Sequence, residues 1–392
     1  MDLIFITEAR FVKLENGQIY SLEGSFSYSL FKRYLGYYDH VTIIARCKEG
    51  QISDVLEENL VSKDNIIFYS LPYYIGFNSF LINYLKLKKA ITLGLQKHLT
   101  QNSVVICRIP GRIGAIAIKH LEKLNKPYGI EVVGDPFDVL SNGATNNRLA
   151  PIIRYFSFNS LKKIAFKAPA ALYVTKSKLQ ERYPCNNFSV GVSDVIMKDS
   201  SFIQEPKKYI RNTKIKIISI GTLDQLYKAP DTILMAMKIL KEKNIDFSFT
   251  WVGEGLFKDK MISLSEKLEI SQHVSFIGKL SSGEAVINEL DKNDIFLMAS
   301  RMEGLPRAMV EAMARALPCI GTNICGITEL LDKEFLVPVN NPDLIVEKIL
   351  LLRNIENYNK QSSRNLEISK LYKDEVLEKK RIEFHDFLKS IS

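Results

Sequence analysis

Two glutamates flank the start of a predicted helix in the last third of the chain: Glu303 lies in the loop just before it, and Glu311 lies more than one turn inside it. A buried strand is predicted directly before them at Ile295–Ala299, because the segment is short and apolar. Pro306 suits the first position of the helix, since its fixed φ is helical and its missing N–H is not needed there. The apolar pattern predicts that the helix runs to Leu317, before the next proline.

This strand, loop and helix could hold a sugar that is joined to a phosphate. The backbone N–H groups of Gly304, Leu305 and Arg307 lie at the helix N-terminus, where the helix dipole favours a phosphate oxygen. An ionised carboxylate only accepts hydrogen bonds, so Glu303 and Glu311 could take them from sugar hydroxyls. Either glutamate alone would more often be a dipole partner or a solvated side chain. Their combination with the strand, the glycine and the proline favours a site.

The elements around these residues predict an α/β fold with two doubly wound parallel sheets, because short apolar strands alternate with amphipathic helices. We expect an N-terminal domain over residues 1–190, a C-terminal domain over 191–371, and a final helix over 372–392 that could pack on either domain, including back on the N-terminal one. Two such sheets in tandem favour a ligand cleft at the carboxyl ends of their strands. The predicted strands are Asp2–Ile6, Val41–Ala45, Asn65–Tyr69, Ser103–Cys107, Tyr128–Val133, Ala170–Val174, Ile215–Ile220, Phe247–Val252, Val274–Ile277, Ile295–Ala299 and Pro318–Gly321.

Composition excludes several classes of protein. The 392 residues are 46% hydrophobic and 25% charged, which is typical of a globular protein and not of a disordered or disulfide-rich chain. No apolar run is long enough for a transmembrane helix, and Met1–Glu8 lacks the pattern of a signal peptide. Five cysteines form no C-x-x-C pair and five histidines are scattered, so we expect no metal site. The net charge of +9 suits an anionic substrate or surface.

The segment around the two glutamates resembles the retaining glycosyltransferases of family 4, which have the GT-B fold of two Rossmann-like domains. The resemblance covers most of residues 215–331 and is fainter in the N-terminal half, at Glu131–Pro136 and in the loop around Gly24. The motifs that carry it, in this order, are Ile220-Gly221-Thr222-Leu223, Tyr227-Lys228-Ala229-Pro230-Asp231, Val252-Gly253-Glu254-Gly255, Phe276-Ile277-Gly278-Lys279, Glu303 to Glu311, and Gly321 to Glu329.

The resemblance implies a role for each motif. Glu311 would bind the ribose hydroxyls of a nucleotide sugar, Glu303 the transferred sugar, and Lys228 the diphosphate. Glu303 and Lys228 are the expected catalytic residues. The implied donor-binding set is Gly221, Thr222, Gly278, Lys279, Leu280, Gly304, Leu305, Arg307 and Glu311. The backbone at 278–280 would border the base.

Three positions depart from the family pattern. Thr222 stands where the family often has arginine, so diphosphate binding would depend on Lys228, Arg301 or Arg307. Pro306 and Ala316 stand where the family usually has glycines. The acceptor side is assigned to Gly24, Arg108 and Asp135, although Asp135 equally fits a carboxylate that caps the turn before Pro136.

The function that follows is a cytoplasmic, metal-independent, retaining transferase. It would move a sugar from a nucleotide diphosphate sugar to a hydroxyl of a glycan or lipid-linked acceptor, for a cell-surface polysaccharide. It would need no cofactor. A nucleotide-sugar 2-epimerase of the same architecture and a non-catalytic sugar-binding subunit are the alternatives. A nucleic-acid-binding module is disfavoured because acidic residues are plentiful and recognised motifs are absent.

A basic stretch at residues 148–178 contains seven lysines and arginines and no acidic residue. Apolar residues recur at helical steps within it, and they form two stripes. The pattern predicts either helices that lie at an anionic membrane surface, on the inner face of the membrane, or ordinary helices packed on the N-terminal domain. The stripes are Leu149, Ile152, Ile153 and Phe156, followed by Leu161, Ile164, Ala165 and Ala168.

Overall fold

A computed structural model describes residues 1–139, 150–195, 197–209, 214–280 and 283–392. The N-terminal part forms one sheet in the order β4-β3-β1-β5-β6-β7-β8, in which β2 pairs antiparallel with β1 and the other neighbours are parallel. Its strands are β1 (Asp2–Lys13), β2 (Ile19–Ser21), β3 (Val41–Glu49), β4 (Ile66–Leu71), β5 (Ser103–Ile109), β6 (Gly129–Val132), β7 (Ala170–Tyr173) and β8 (Phe188–Gly191). Its helices are α1 (Tyr28–Tyr34), α2 (Gly76–His98), α3 (Arg112–Lys123), α4 (Pro136–Val139), α5 (Ala150–Lys167) and α6 (Lys178–Arg182).

The C-terminal part forms a second, fully parallel sheet in the order β11-β10-β9-β12-β13-β14. Its strands are β9 (Ile215–Ile220), β10 (Phe247–Val252), β11 (Val274–Gly278), β12 (Ile295–Met298), β13 (Cys319–Thr322) and β14 (Leu336–Val337). Its helices are α7 (Pro230–Glu242), α8 (Lys258–Lys267), α9 (Gly283–Asp291), α10 (Arg307–Ala314), α11 (Ile327–Leu330), α12 (Pro342–Leu351) and α13 (Ile355–Lys370), and α14 (Asp374–Ser390) follows. The chain order in each sheet reverses at its first strand, β1 or β9, and this switch point is where doubly wound sheets bind ligands.

Both sheets are covered by helices on both faces, as their continuous apolar strands require. In the N-terminal sheet, Val105 and Cys107 pack towards α2 and α3, while Val104 and Ile106 belong to a second core cluster on the other face. The predicted fold class of two parallel-sheet α/β domains is therefore confirmed. The proposed domain boundaries stay predictions.

The last helix, α14, packs on the edge of the N-terminal sheet at β7 and β8. Phe384 and Leu388 lie so close to β6 that a Cβ on Gly129 would come within 2.8 Å of Leu388 and 2.9 Å of Phe384. The ring of Phe387 stacks on Phe188, with 4.4 Å between ring centroids. The chain thus returns to the first sheet after completing the second one.

Helix α10 is shorter than its sequence predicts. Pro306 is extended, with ψ of 110°, and precedes the helix, although its carbonyl accepts from the amides of Met309 and Val310. The helix ends at Ala314 and not at Leu317, because Ala316 adopts the left-handed conformation with φ of 54°. A left-handed residue is a common helix terminator and is usually glycine. The backbone therefore turns at the position where the resembling family usually has glycine.

The basic stretch forms one helix, α5, and then strand β7. Its second predicted stripe is mostly core, since Leu161, Ala165 and Ala168 are buried. From the first stripe, Ile152 and Phe156 are exposed, whereas Arg148 and Leu149 lie outside the described residues. Within the described ranges, no helix combines the length and the apolar character needed to cross a membrane.

Candidate active site

A buried ion pair joins the two residues that the sequence assigns to catalysis. Lys228 Nζ lies 2.5 Å from Glu303 Oε1, and Ser300 Oγ donates to the same oxygen at 2.7 Å. Only 14% of the lysine side chain and 9% of the glutamate side chain are exposed. Burial by itself would lower the pKa of Lys228, but the adjacent Glu303 carboxylate outweighs it and raises that pKa above its ordinary value. Lys228 therefore stays positively charged beside the carboxyl end of strand β9.

The position of Lys228 is set by a short 3-10 turn, Leu226–Lys228, which ends in a left-handed residue, Ala229, with φ of 52°. The alkyl chain of Lys228 runs so close to Gly221 that a Cβ there would come within 3.0 Å of it. A side chain at position 221 would thus crowd the lysine where it passes the end of β9.

Arg301 holds the same turn from the other side. Its Nη1 donates to the carbonyl of Leu226 at 2.5 Å, its Nη2 to Asp231 at 2.7 Å, and its Nε to Asn340 at 2.7 Å. Its own amide donates to the carbonyl of Tyr227 at 2.7 Å. The sequence offered Arg301 as an alternative diphosphate ligand, but its guanidinium is already used within the fold. Arg301 therefore positions Lys228.

Glu311 lies on the second turn of α10, where it is partly buried. The amides of Arg307 and Ala308 precede the first hydrogen bond of the helix, which Met309 N makes to Pro306 O, so they belong to the free N-terminal turn. Burial raises the pKa of Glu311, and the charge of Arg307 one turn earlier offsets this in part. Among the residues that the structure describes, the Glu311 carboxylate has no hydrogen-bond or ion-pair partner. A half-buried carboxylate of this kind is ready to accept from hydroxyl groups.

Two further loops with predicted donor-binding residues lie at the ends of β9 and β11. Thr222 Oγ1 donates to Asp224 at 2.9 Å, so the hydroxyl closes its own loop where the family often has an arginine. Gly278 is left-handed, with φ of 79°, and its carbonyl accepts from Gly253 N at 2.8 Å. Lys279 reaches across to Glu58 at 2.7 Å, and Leu280 packs into the second domain. The backbone at 278–280 is thus fixed, and its contact with a base stays a prediction.

The two domains touch at the glycine of the Glu303 loop. A Cβ on Gly304 would lie 2.8 Å from the carbonyl oxygen of Val133, so only glycine allows this approach. The carbonyl of Gly304 accepts from Gly326 N at 2.9 Å. Leu305 packs against the apolar cluster behind α10.

A second contact between the domains was missed by sequence reasoning. The Glu329 carboxylate accepts from the amides of Lys176, Ser177 and Lys178 at 2.7, 2.8 and 2.6 Å. It therefore caps the first turn of α6 from the other domain. Its place at the end of the last motif was visible in the sequence, but its partners lie more than 150 residues away.

On the acceptor side, the structure brings the Gly24 loop and Arg108 together. Gly24 begins a 3-10 turn that ends at Phe26, and the guanidinium of Arg108 lies 5.2 Å from the Phe26 ring centroid. Phe26, Arg108 and Val133 line one cavity of about 220 Å³, beside the contact with Gly304. Arg108 also pairs with Glu131 at 2.9 Å and with Asp194.

Asp135 lies on a different groove, beside Arg182. Its Oδ1 accepts from Phe137 N at 2.8 Å and from Tyr183 OH at 2.5 Å, and its Oδ2 pairs with Arg182. These contacts support the alternative in which Asp135 caps the turn that leads into α4. Its assignment to the acceptor side stays a prediction. Among the described residues, no group of three or more histidine, cysteine, aspartate or glutamate side chains is arranged to hold a metal ion.

The sequence was compared with protein families and curated proteins. Residues 201–367 match the model of the family described as glycosyl transferases group 1. The C-terminal half of this chain is therefore similar to the glycosyl transferases of group 1. The predicted resemblance is thereby confirmed at the level of this group. Protein CapJ of Staphylococcus aureus is 28% identical over 388 residues, which is 97% of this chain and 90% of CapJ. The O-antigen biosynthesis glycosyltransferase WbnH of Escherichia coli is 26% identical over 189 residues, about half of each chain.

Solved structures share the fold of the whole chain. Sucrose-phosphate synthase from Thermosynechococcus elongatus superimposes with a TM-score of 0.72 at 14% identity, with 100% of both chains covered. HepE from Anabaena, in complex with UDP-glucose, gives a TM-score of 0.66 at 12% identity, again over 100% of both chains. At these identities the likeness concerns the two-domain architecture alone.

Proposed function

We propose that this glycosyltransferase moves a sugar from a nucleotide diphosphate sugar to a hydroxyl group of a glycan or lipid-linked acceptor, with retention of the anomeric configuration. The observation that carries the proposal is the buried pair of Lys228 and Glu303 beside the N-terminus of α10, with the unpartnered Glu311 further along that helix. A sugar donor needs a cation for its diphosphate and hydrogen-bond acceptors for its hydroxyl groups, and these three side chains provide both.

Charge development explains how these groups would accelerate transfer. Breaking the bond between the anomeric carbon and the phosphate leaves positive charge on the sugar and extra negative charge on the diphosphate. The Lys228 ammonium and the first amides of α10 would stabilise the leaving diphosphate, since both are fixed before the reaction. Lys228 would exchange its bond to Glu303 for a phosphate oxygen, and Glu303 would then accept hydrogen bonds from the sugar.

Glu311 would bind the ribose hydroxyls. It lies one turn after Arg307 on α10, away from the ion pair at the start of the helix. The segment 278–280, with Gly221 and Thr222, would border the nucleotide. Because the diphosphate charge is met by a lysine and a helix N-terminus, we propose that transfer needs no metal ion and no cofactor.

Retention would follow if the acceptor hydroxyl attacks the same face of the sugar from which the diphosphate leaves, with a phosphate oxygen accepting the hydroxyl proton. We assign no protein nucleophile. The acceptor would enter from the N-terminal domain, at the cavity formed by the Gly24 loop and Arg108.

The similarity to CapJ and to glycosyltransferases of colanic acid and O-antigen biosynthesis supports a role in cell-surface polysaccharide synthesis. We propose that the chain works in the cytoplasm, peripherally on the inner face of the membrane. This placement agrees with the net charge of +9 and with a lipid-linked acceptor.

Nucleotide binding tests the donor site first. UDP, GDP, dTDP, ADP and CMP would be compared in a thermal-shift panel, because a ligand that binds only the folded state raises its stability. The effective nucleotide should stabilise the wild type, and Glu311→Gln should weaken this effect. The matched control is Glu347→Gln, an exposed carboxylate on α12 of the same domain. If Glu311→Gln kept the full thermal shift, as Glu347→Gln should, the proposed ribose role of Glu311 would be contradicted.

The reaction itself is tested with the sugar nucleotide of the base so identified. Release of the nucleoside diphosphate, and the anomeric configuration of the product measured by NMR, report transfer and its stereochemistry. An inverted product would refute the retaining mechanism. Conversion of the donor sugar into its 2-epimer without transfer would favour the epimerase alternative.

A further inference from the structure

The N-terminal half of α2 exposes a set of large apolar side chains that nothing in the described chain covers. Ile82 is 82% exposed, Leu85 77%, Ile75 64% and Leu81 54%. Residues four apart on a helix share a face, so Leu81 and Leu85 lie above one another, and Ile82 lies beside them. We call Ile75, Leu81, Ile82 and Leu85 the α2 patch. Soluble proteins rarely expose apolar groups in such a cluster unless the cluster meets a partner.

Lysines continue the same face of α2. Lys86 lies four residues after Ile82, and Lys89 lies four residues after Leu85, so the stripe changes from apolar to basic within one turn. Lys86, Lys88 and Lys89 are all exposed. No aspartate or glutamate occurs between residues 65 and 121. An apolar end followed by a basic end is the arrangement of a helix that dips into the headgroup region of an anionic bilayer.

Helix α5 presents a second surface of the same kind. Ile152, Tyr155 and Phe156 on its first turns are 57%, 66% and 67% exposed. The acid-free stretch that contains α5 is separate from that of α2 in sequence, because Glu122 and Glu131 lie between them. Exposed lysines follow the apolar group here too, at Lys162 and Lys163.

Both helices border one cavity of about 640 Å³ in the N-terminal domain. The first residue of α2, Gly76, and the α5 residues Ile153 and Phe156 line it, together with Glu8 and Arg112. The guanidinium of Arg112 lies 5.0 Å from the ring centroid of Phe77, at the start of α2. Two lysine-bearing helices with exposed apolar side chains thus border one cavity at the carboxyl ends of the first sheet.

We propose that the α2 patch, together with the first turns of α5, docks this chain on an anionic lipid bilayer. The apolar side chains enter the headgroup region, the lysines contact the lipid phosphates, and the 640 Å³ cavity opens towards the membrane. The charge of the surface selects this occupant, since a second copy of the chain would bring one basic surface against another. The inference rests on the proposed function only in that a lipid-linked acceptor would reach the cavity from the bilayer.

Vesicle binding of the full chain tests the surface. Phosphatidylglycerol and phosphatidylcholine vesicles would be used in co-sedimentation at low and high salt. The wild type should bind the anionic vesicles and release them at high salt. The triple substitution Lys86→Gln, Lys88→Gln and Lys89→Gln should weaken this binding by about fivefold per lysine. The triple substitution Leu81→Ser, Ile82→Ser and Leu85→Ser should weaken it by more than about tenfold.

A substitution elsewhere provides the matched control. Leu256 is 88% exposed in the C-terminal domain, so Leu256→Ser removes an equally exposed leucine outside the proposed surface and should leave vesicle binding unchanged. Equal binding of the wild type and the α2 triple serine variant would overturn the proposal. So would a wild-type dimer, seen by analytical ultracentrifugation without lipid, that the serine variant abolishes.

Depth of insertion is tested with fluorescence. The chain contains one tryptophan, Trp251, which is buried. Ile82→Trp should add a fluorophore that brominated phosphatidylglycerol quenches, whereas Leu256→Trp should not be quenched. The nucleotide thermal shift of each variant shows that it folds and keeps its donor site. Vesicle binding without transfer would refute the proposed function alone, and transfer to a soluble acceptor without vesicle binding would refute this inference alone.

Discussion

Replacing Lys228 by methionine separates the structural use of the ion pair from its catalytic use. Methionine keeps most of the apolar stem beside Gly221 and removes the charge. Glu303, whose side chain is 9% exposed, would then keep the Ser300 hydroxyl as its one remaining partner among the described residues. Removing one partner of a buried ion pair typically costs about 3–5 kcal/mol, because the other charge is left uncompensated. We therefore expect Lys228→Met to lower the free energy of unfolding by about 3 kcal/mol.

The second substitution, Glu303→Gln, removes the uncompensated charge. The double variant Lys228→Met with Glu303→Gln should recover most of the lost stability, to within about 1 kcal/mol of the wild type, because no buried charge remains. Turnover should behave differently. Loss of a preorganised cation at the leaving diphosphate should reduce kcat by about 10²–10³-fold in Lys228→Met, and the double variant should recover none of it.

Urea unfolding and steady-state transfer by the four proteins complete this double-mutant cycle. Calorimetry with the nucleoside diphosphate adds a third quantity, and Lys228→Met should bind it more weakly than the wild type. If Lys228→Met lost stability but bound the nucleoside diphosphate as tightly as the wild type, Lys228 would serve only to hold Glu303. The electrostatic role at the diphosphate would then be refuted.

Four further outcomes follow from the same geometry. Glu311→Gln should weaken nucleotide affinity by about 1.5–3 kcal/mol. Because burial raises the pKa of Glu311, part of the free wild type is still protonated just above the usual glutamate range, so its nucleotide affinity, measured by calorimetry, should rise with pH there. Glu311→Gln should abolish this rise. Arg301→Lys should lower kcat by about tenfold or more with little change in KM, since lysine cannot hold the Leu226 carbonyl, Asp231 and Asn340 together. Burial lowers the pKa of His385 to about 3. Below pH 6.5, the usual pKa of histidine, the unfolded chain therefore takes up a proton at this residue while the folded chain does not. The free energy of unfolding should fall by up to about 1.4 kcal/mol for each unit of decreasing pH, and by less in His385→Phe. Transfer should persist in EDTA, and complete dependence on added Mg²⁺ or Mn²⁺ would contradict the metal-free mechanism.

The strands of the second sheet could be predicted well, because each is a short apolar run set off by polar residues or glycine. Ile215–Ile220 and Phe247–Val252 are found with the predicted bounds. The edge strands β8 and β14 were not predicted. Phe188–Gly191 is only partly buried, and Leu336–Val337 has two residues, so neither produces an apolar run. Their pairing depends on the neighbouring strand and not on their own sequence.

The donor side was predictable because its parts are close in the chain. Glu303 and Glu311 lie in one loop and one helix, where spacing alone fixes their relative position. Arg301 shows the limit of such reasoning. Its charge suggested a diphosphate ligand, but its partners Leu226 and Asp231 lie about 70 residues away and use up the guanidinium. Sequence spacing gives no sign of partners at that distance.

The acceptor side depends almost wholly on contacts between distant residues. Glu8 accepts from Ile113 N at 3.0 Å and from the Tyr74 hydroxyl, and Arg46 donates to the carbonyls of Glu8 and Tyr74 at 2.8 Å. These groups come from strand β1, strand β3, the loop between β4 and α2, and the start of α3. A parallel sheet assembles them because the carboxyl ends of its strands share one edge. A change at any one of these ends would therefore alter the proposed acceptor cavity without touching Glu303 or Glu311 in the other domain.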